Sequence, residues 1–195
     1  MNTQEGNLLF PVFLKLEEMQ LLIVGGGNVG LEKLSAVVKN SPATPVTMVA
    51  TWFAEETREL ASAYANVIIL EKSFEPEDLD GKDLVIAATG IREMSEQIRT
   101  EAHKRKILVN IADTPDLCDF YLGSIVTKGD LKIAISTNGK SPTLAKRIRE
   151  YLEEALPDTT QQLLDNLQKI RMQINGDFQA KLQALNELTE KVFKK

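Results

Sequence analysis

The chain has 195 residues, 43% of them hydrophobic and 26% charged, which fits an ordinary globular protein with enough apolar side chains to bury a core. A net charge of −5 and a single cysteine, Cys118, argue against a general nucleic-acid binder, an internal disulfide and any cysteine-built metal cluster. No apolar run approaches the roughly 18 residues needed to cross a bilayer, and the opening MNTQEGNLLF lacks the parts of a signal peptide, so a cytoplasmic location is expected.

Residues 10–16 form a short apolar stretch interrupted by Pro11 and read as an edge strand. Leu21–Val24 is a continuous apolar run of buried-strand character. Gly25-Gly26-Gly27-Asn28-Val29-Gly30 follows at once, and residues 31–39 read as a helix with Leu34, Val37 and Val38 facing inward. A strand, then G-x-G-x-x-G, then a helix is the context of a dinucleotide fingerprint. Gly25 allows the tight turn, Gly27 lets the backbone approach a pyrophosphate, and Gly30 permits close helix–strand packing. Helix-start N–H groups then meet the phosphate charge. Without a ligand the same residues make a plain glycine-rich turn.

Val46–Ala50 is the second strand. A ribose-binding acid is expected about twenty residues after the fingerprint, yet Thr51, Trp52, Phe53 and Ala54 stand there and the first acid is Glu55. No arginine takes the place of a 2′-phosphate reader, so NAD is favoured, its adenosine end held by backbone and by Thr51 or Trp52. Trp52 also suits plain packing between strand and helix. Residues 55–63 read as a helix, 67–70 as the third strand, 76–81 as a polar turn and 84–88 as the fourth strand. The fourth strand ends in Thr89-Gly90, small residues where a cofactor passes over a sheet. Residues 92–106 are a charged helix whose His103, beside Lys104, Arg105 and Lys106, marks a solvated face and receives no catalytic role. Residues 107–110 are the fifth strand. Strands alternating with helices predict a Rossmann-like α/β fold: a parallel sheet with right-handed crossovers.

Asn110 opens the polar turn after the fifth strand, and Asp113 follows with Pro115 behind it. The carboxyl end of a parallel strand faces the ligand crevice, so Asp113 can take a proton beside a bound cofactor; alternatively it only begins an Asx-type turn. Residues 123–126 and 131–135, about the turn 127–130, read as a β-hairpin. A two-stranded hairpin is marginal alone in water and needs a partner, for which the same hairpin of a second subunit is suited. Ser136-Thr137-Asn138-Gly139-Lys140 is a loop rich in hydroxyls and amides, with Ser141 as N-cap and Pro142 at the first position of a helix over 143–154. From Lys128 to Arg149 there are six basic residues and one acid, so this segment carries +5 and the remainder −10. Such a local field suits a small polyanion, or equally a solvated helix face. Donors leading into a helix N-terminus suit carboxylates. Beyond Pro157 two amphipathic stripes, Leu163 to Ile174 and Phe178 to Val192, flank a break at 175–177 and form a helical tail. The expected division is 1–113 for NAD binding, 114–149 for dimerisation and substrate, and 150–195 for the helical domain.

Four segments, FPVFLKLEEMQLLIVGGGNVG, LVIAATG, VNIADTPDLCDFYLGSIV and LKIAISTNGKSPTLAKRIREYLE, resemble the precorrin-2 dehydrogenases of siroheme synthesis, including members that are also sirohydrochlorin ferrochelatases and the N-terminal part of siroheme synthase. The resemblance covers about the first 155 residues. It implies NAD as hydride acceptor, precorrin-2 as substrate and sirohydrochlorin as product, in a homodimer whose hairpin region exchanges between subunits. Asp113 falls where that family has its essential aspartate, a general base. Asn28, Val29, Thr51 and Trp52 match its cofactor-contacting positions, with Thr89 and Asn110 completing the NAD set. Ser136, Thr137, Asn138, Lys140, Ser141 and Arg147 make up the substrate-binding set, and no metal ligands are assigned. Two-activity members insert ferrous iron in the same pocket. Glu32, Gly90 and Thr137 depart from the residues frequent there (arginine, aspartate and serine). A competing class is an NAD-sensing regulatory module without tetrapyrrole turnover.

Overall fold

The computed structural model describes residues 6–173 and 178–190. They fall into two compact units, divided between Leu122 and Gly123.

In the first unit the chain alternates strand and helix: β1 (Leu21–Val24), α1 (Asn28–Asn40), β2 (Val46–Ala50), α2 (Glu55–Ser62), β3 (Val67–Glu71), β4 (Leu84–Ala87), α3 (Arg92–Lys104) and β5 (Leu108–Ile111). The sheet is parallel with strand order β3-β2-β1-β4-β5. β1 and β4 are buried throughout because both faces are covered, which is why their sequences are unbroken apolar runs rather than alternating ones. Leu34, Val37 and Val38 of α1 and Ala61 of α2 pack on one face. Ile98 and Ala102 of α3, with Leu79, pack on the other. Each fully buried leucine or isoleucine here contributes about 1.5–3 kcal/mol. Strand order reverses at β1, so the crevice between the carboxyl ends of β1 and β4 is the switch point where such sheets bind ligands.

No strand forms over 10–16. Residues 10–15 are irregular and exposed, and a 3-10 turn spans Leu16–Glu18. Pro11 removes a ladder donor, and the segment has no strand partner among the described residues.

The second unit is built on an antiparallel hairpin of β6 (Ser124–Lys128) and β7 (Leu131–Ile135). Its two-residue turn uses Gly129 at φ +61°, the positive φ that primed hairpin turns require. α4 (Pro142–Ala155) packs on the hairpin, burying Ala145, while Val126 is buried on β6. α5 (Thr160–Gln173) ties to the hairpin tip: Gln161 accepts the Asp130 N–H at 2.7 Å, and Lys128 reaches Asp158 at 2.7 Å just before the helix. α6 (Phe178–Glu190) follows. Both tail helices form, while Ile174 at the end of the first stripe, the break at 175–177 and Val192 at the end of the second lie outside the described residues.

Candidate active site

The carboxyl ends of four strands are level. Gly25 N–H donates to Val49 O at 2.9 Å, Ala88 N–H to Val24 O at 2.7 Å and Ala112 N–H to Ala87 O at 2.9 Å. At about 4.8 Å per strand, the turn after β5 stands roughly 10 Å from the glycine turn.

A Cβ on Gly25 would run into the Ala88 carbonyl, one on Gly26 into the Trp52 carbonyl and Phe53, and one on Gly30 into the Gly25 carbonyl. Protein packing alone requires those three glycines. Gly27 differs: a Cβ there would meet only the Trp52 ring, at 3.6 Å. Gly27 is also the N-cap of α1, and no side chain caps that helix. The helix therefore presents uncapped N–H groups, at Asn28 and Val29 among others, at an open surface, the arrangement that receives a phosphate. Asn28, Val29, Thr51 and Trp52 are all exposed around it. These features fit a dinucleotide, with the pyrophosphate over Gly27 and the Trp52 ring beside it.

The Gly26 carbonyl accepts from the Ala54 N–H at 2.9 Å and from the buried Thr57 hydroxyl at 3.0 Å. Thr57 was not legible as a site residue, since its partner lies 31 positions away. The acid missing after β2 has a neighbour: Glu71 pairs in register with Ala50 and is held by Arg58 at 2.6 Å. At the end of β4, Thr89 is half-buried and its hydroxyl accepts the Ile91 N–H at 3.2 Å.

The turn after β5 is stitched down by side chains. Asn110 is buried and its amide donates to the Phe120 carbonyl at 2.8 Å. Cys118 Sγ accepts the Ile111 N–H at 3.1 Å and can donate to the Ile111 carbonyl at 3.2 Å. Burial pushes its thiol pKa up, so it stays a neutral packing group. Asp119 accepts the Val109 N–H at 3.0 Å and faces His103 Nε2 at 2.9 Å. His103 is thus exposed, as the basic run predicts, yet bound to the turn. Asp113 sits at the centre of this loop with φ +59°, one of three non-glycine residues at positive φ among the described residues. Its carboxylate is exposed and makes no hydrogen bond or ion pair among the described residues. A left-handed aspartate costs about 1 kcal/mol, and the loop that imposes it leaves the carboxylate open.

In the second unit the loop 136–141 is held by its own hydroxyls. Thr137 Oγ1 accepts the Ser141 N–H at 3.2 Å, and Ser141 Oγ accepts the Leu144 N–H at 3.2 Å as the N-cap of α4. Ser136 Oγ accepts the Asn138 N–H at 3.2 Å, and Asn138 adopts φ +54°. Three of the predicted hydroxyls, Ser136, Thr137 and Ser141, are therefore engaged in shaping the loop, while the Lys140 and Arg147 side chains are exposed. Among the described residues no group of three His, Cys, Asp or Glu side chains is placed to hold a metal ion.

A parallel sheet with a glycine turn at its switch point and an uncapped helix start defines a dinucleotide-binding α/β protein. Residues 12–124 match the model of the putative NAD(P)-binding family, and the chain belongs to that family. Residues 128–155 match the model described as sirohaem biosynthesis protein central. The chain is similar to the siroheme synthase of Psychromonas ingrahamii, 42% identical over 147 residues (75% of this chain, 30% of the relative). It is likewise similar to that of Psychrobacter cryohalolentis, 35% identical over 187 residues (94% of this chain, 34% of the relative). It thus spans about a third of the length of the curated relatives it matches. Among solved structures, SirC, a precorrin-2 dehydrogenase, shares the fold at TM-score 0.74 and 24% identity, covering 92% of this chain and 89% of that one.

Proposed function

We propose that the chain is an NAD-dependent precorrin-2 dehydrogenase of siroheme biosynthesis, with Asp113 as general base. The carrying observation is the open carboxylate of Asp113, held at φ +59° at the carboxyl end of β5, one strand beyond the switch-point strand β4. The relatives named siroheme synthase and the shared fold with SirC support the substrate class.

NAD, when bound, supplies the nicotinamide that accepts a hydride. The residues of this chain do the rest. Gly27 and the start of α1 hold the pyrophosphate, and Trp52, Thr51 and Thr89 flank the bound cofactor. Asn110 acts by shaping the turn, because its amide is committed to Phe120. Asp113 takes the proton that leaves precorrin-2 as the hydride departs, which gives sirohydrochlorin. Exposed as it is, Asp113 then returns the proton to solvent.

In this reading residues 1–113 carry the cofactor, 114–149 dimerise and bind substrate, and 150–195 form the helical domain. Ser136, Thr137, Asn138, Lys140, Ser141 and Arg147 make up the substrate-binding segment, with Lys140 and Arg147 meeting tetrapyrrole carboxylates. A second copy of the chain completes the two-stranded hairpin, which has no third strand among the described residues. Ferrous iron enters only as a substrate, for insertion into sirohydrochlorin. No helix among the described residues is long and apolar enough to cross a membrane, and we place the enzyme in the cytoplasm.

Anaerobic incubation with precorrin-2 and NAD, followed by absorbance, tests the proposal. NADH and sirohydrochlorin are expected in equal amounts, and addition of ferrous ion then reads out chelation. NAD binding with no turnover would sink the enzyme reading in favour of a sensing module.

A further inference from the structure

Among the described residues the Asp113 side chain makes no hydrogen bond or ion pair, so its position is set by the feet of the loop that carries it. Those feet are residues 118–120, folded back on the edge strand β5. Asp119 bonds β5 through both backbone and side chain: its N–H donates to the Val109 carbonyl at 2.8 Å, and its carboxylate accepts the Val109 N–H at 3.0 Å. His103 Nε2 spans both oxygens of that carboxylate, at 2.9 Å from Oδ2, which also accepts the Val109 N–H, and 3.1 Å from Oδ1. His103 stands in the last turn of α3, so it joins the helix behind the sheet edge to the loop in front of it. The neighbouring anchor, Cys118, is a neutral thiol with only weak bonds to offer. Hydrogen bonds to an ionised carboxylate are roughly twice as strong as neutral ones.

We propose that Asp119, clamped by His103, is a positioning residue for Asp113: it seats the loop on β5 so that the Asp113 carboxylate is presented to the substrate. This rests on the reading of Asp113 as the base. Small displacements of a catalytic group cost rate rather than affinity, up to about 100-fold for a shift near 1 Å.

The test uses the full chain with NAD and precorrin-2. Asp119→Ala should lower kcat about 10–100-fold. NAD affinity, followed by fluorescence of Trp52, the one tryptophan, should change less than about twofold. Asp119→Asn keeps an acceptor for Val109 and should recover most of the rate. His103→Ala, a change on an exposed helix face, should lower kcat a few-fold and carries the test if Asp119→Ala fails to fold. Amide hydrogen exchange over 111–119 should quicken in Asp119→Ala and His103→Ala, a readout that needs no substrate. Unchanged exchange would show that the pair does not hold the loop. Quickened exchange with kcat unchanged, or a loss confined to the KM for NAD, would likewise overturn the positioning role. Asp113→Asn separates the two claims: full turnover in that variant removes the base itself, and the positioning claim with it.

Discussion

The glycine turn after β1 and the Asp113 turn after β5 stand at the same end of one sheet, yet they are made in opposite ways. The first is shaped by subtraction: missing side chains at Gly25, Gly26 and Gly30 let backbone meet backbone, and at Gly27 only the Trp52 ring stands near. The second is shaped by addition: Asn110, Cys118 and Asp119 each bond the loop to the strand, and the left-handed backbone of Asp113 is the residue they leave free. A cofactor end that offers N–H groups needs backbone and space. In the proposed reaction, the end that must aim one carboxylate needs side chains to hold it.

The largest effect should come from filling the glycine turn. In Gly30→Ala the new methyl meets the Gly25 carbonyl, backbone that cannot swing aside. Overpacking of this kind costs about 1–3 kcal/mol or more, so denaturant unfolding should move sharply and NAD binding should go with it. Gly27→Ala breaks the symmetry of the fingerprint. Its methyl meets only the Trp52 ring at 3.6 Å, so stability should change by about 0.5 kcal/mol or less, while Trp52 fluorescence should report at least a tenfold loss of NAD affinity, about 1.4 kcal/mol. Equal destabilisation by both would show that Gly27 serves packing rather than a ligand.

At the other turn the ordering reverses. Asp113→Asn should remove about 10²–10⁴-fold in turnover and leave NAD affinity and unfolding midpoint unchanged. Asp113→Gly is the sharper variant. Glycine takes φ near +59° without strain but loses more backbone entropy on folding, so stability should hold or rise by up to about 0.5 kcal/mol while the same activity is lost. A destabilised Asp113→Gly would mean that the aspartate side chain does structural service, and the contrast between the turns would fall.

These two turns also differ in how far the sequence disclosed them. Strand, glycines and helix are local and consecutive, so the glycine turn, its neighbours and the whole parallel sheet could be read from the apolar runs. The position of Asp113 was legible too, because it follows a strand end. Its anchors were not: His103 and Asp119 are 16 residues apart and Thr57 and Gly26 are 31 apart, and no spacing rule joins such pairs. The edge strand expected over 10–16 does not form, because the exposed segment meets no strand partner among the described residues, and an apolar run with a proline does not disclose whether a neighbouring strand is free to pair. The hydroxyls of 136–141 read as donors for substrate because composition does not show that Thr137 and Ser141 are engaged by their own loop.

Thr57 tests whether the subtractive turn also leans on a side chain. Thr57→Val keeps the shape and deletes the hydroxyl that bonds the Gly26 carbonyl at 3.0 Å. The Ala54 N–H still serves that carbonyl, so the loss should be near 1 kcal/mol in urea unfolding, with a few-fold weaker NAD binding. No change in NAD affinity would confine the glycine turn to backbone determinants.

The smallest effect is electrostatic and lies on α3, the helix behind the Asp113 turn. Lys104, then Arg105, hold the Glu101 carboxyl below the usual glutamate range, at 2.6 and 3.0 Å. A depressed folded pKa means that the unfolded chain binds the proton more readily, so the contribution is complete above the ordinary glutamate pKa, about 4.3. It is lost as pH falls through the lower folded value. Wild type should therefore melt slightly above Glu101→Gln at neutral pH, and the gap should close in acid and shrink in high salt. Because His103 and Arg92 also join α3 to the Asp113 loop, amide exchange over 111–119 should quicken in Glu101→Gln before NAD affinity changes. If Trp52 fluorescence registers the substitution first, the two turns are coupled through the sheet and are not the separate constructions their geometry describes.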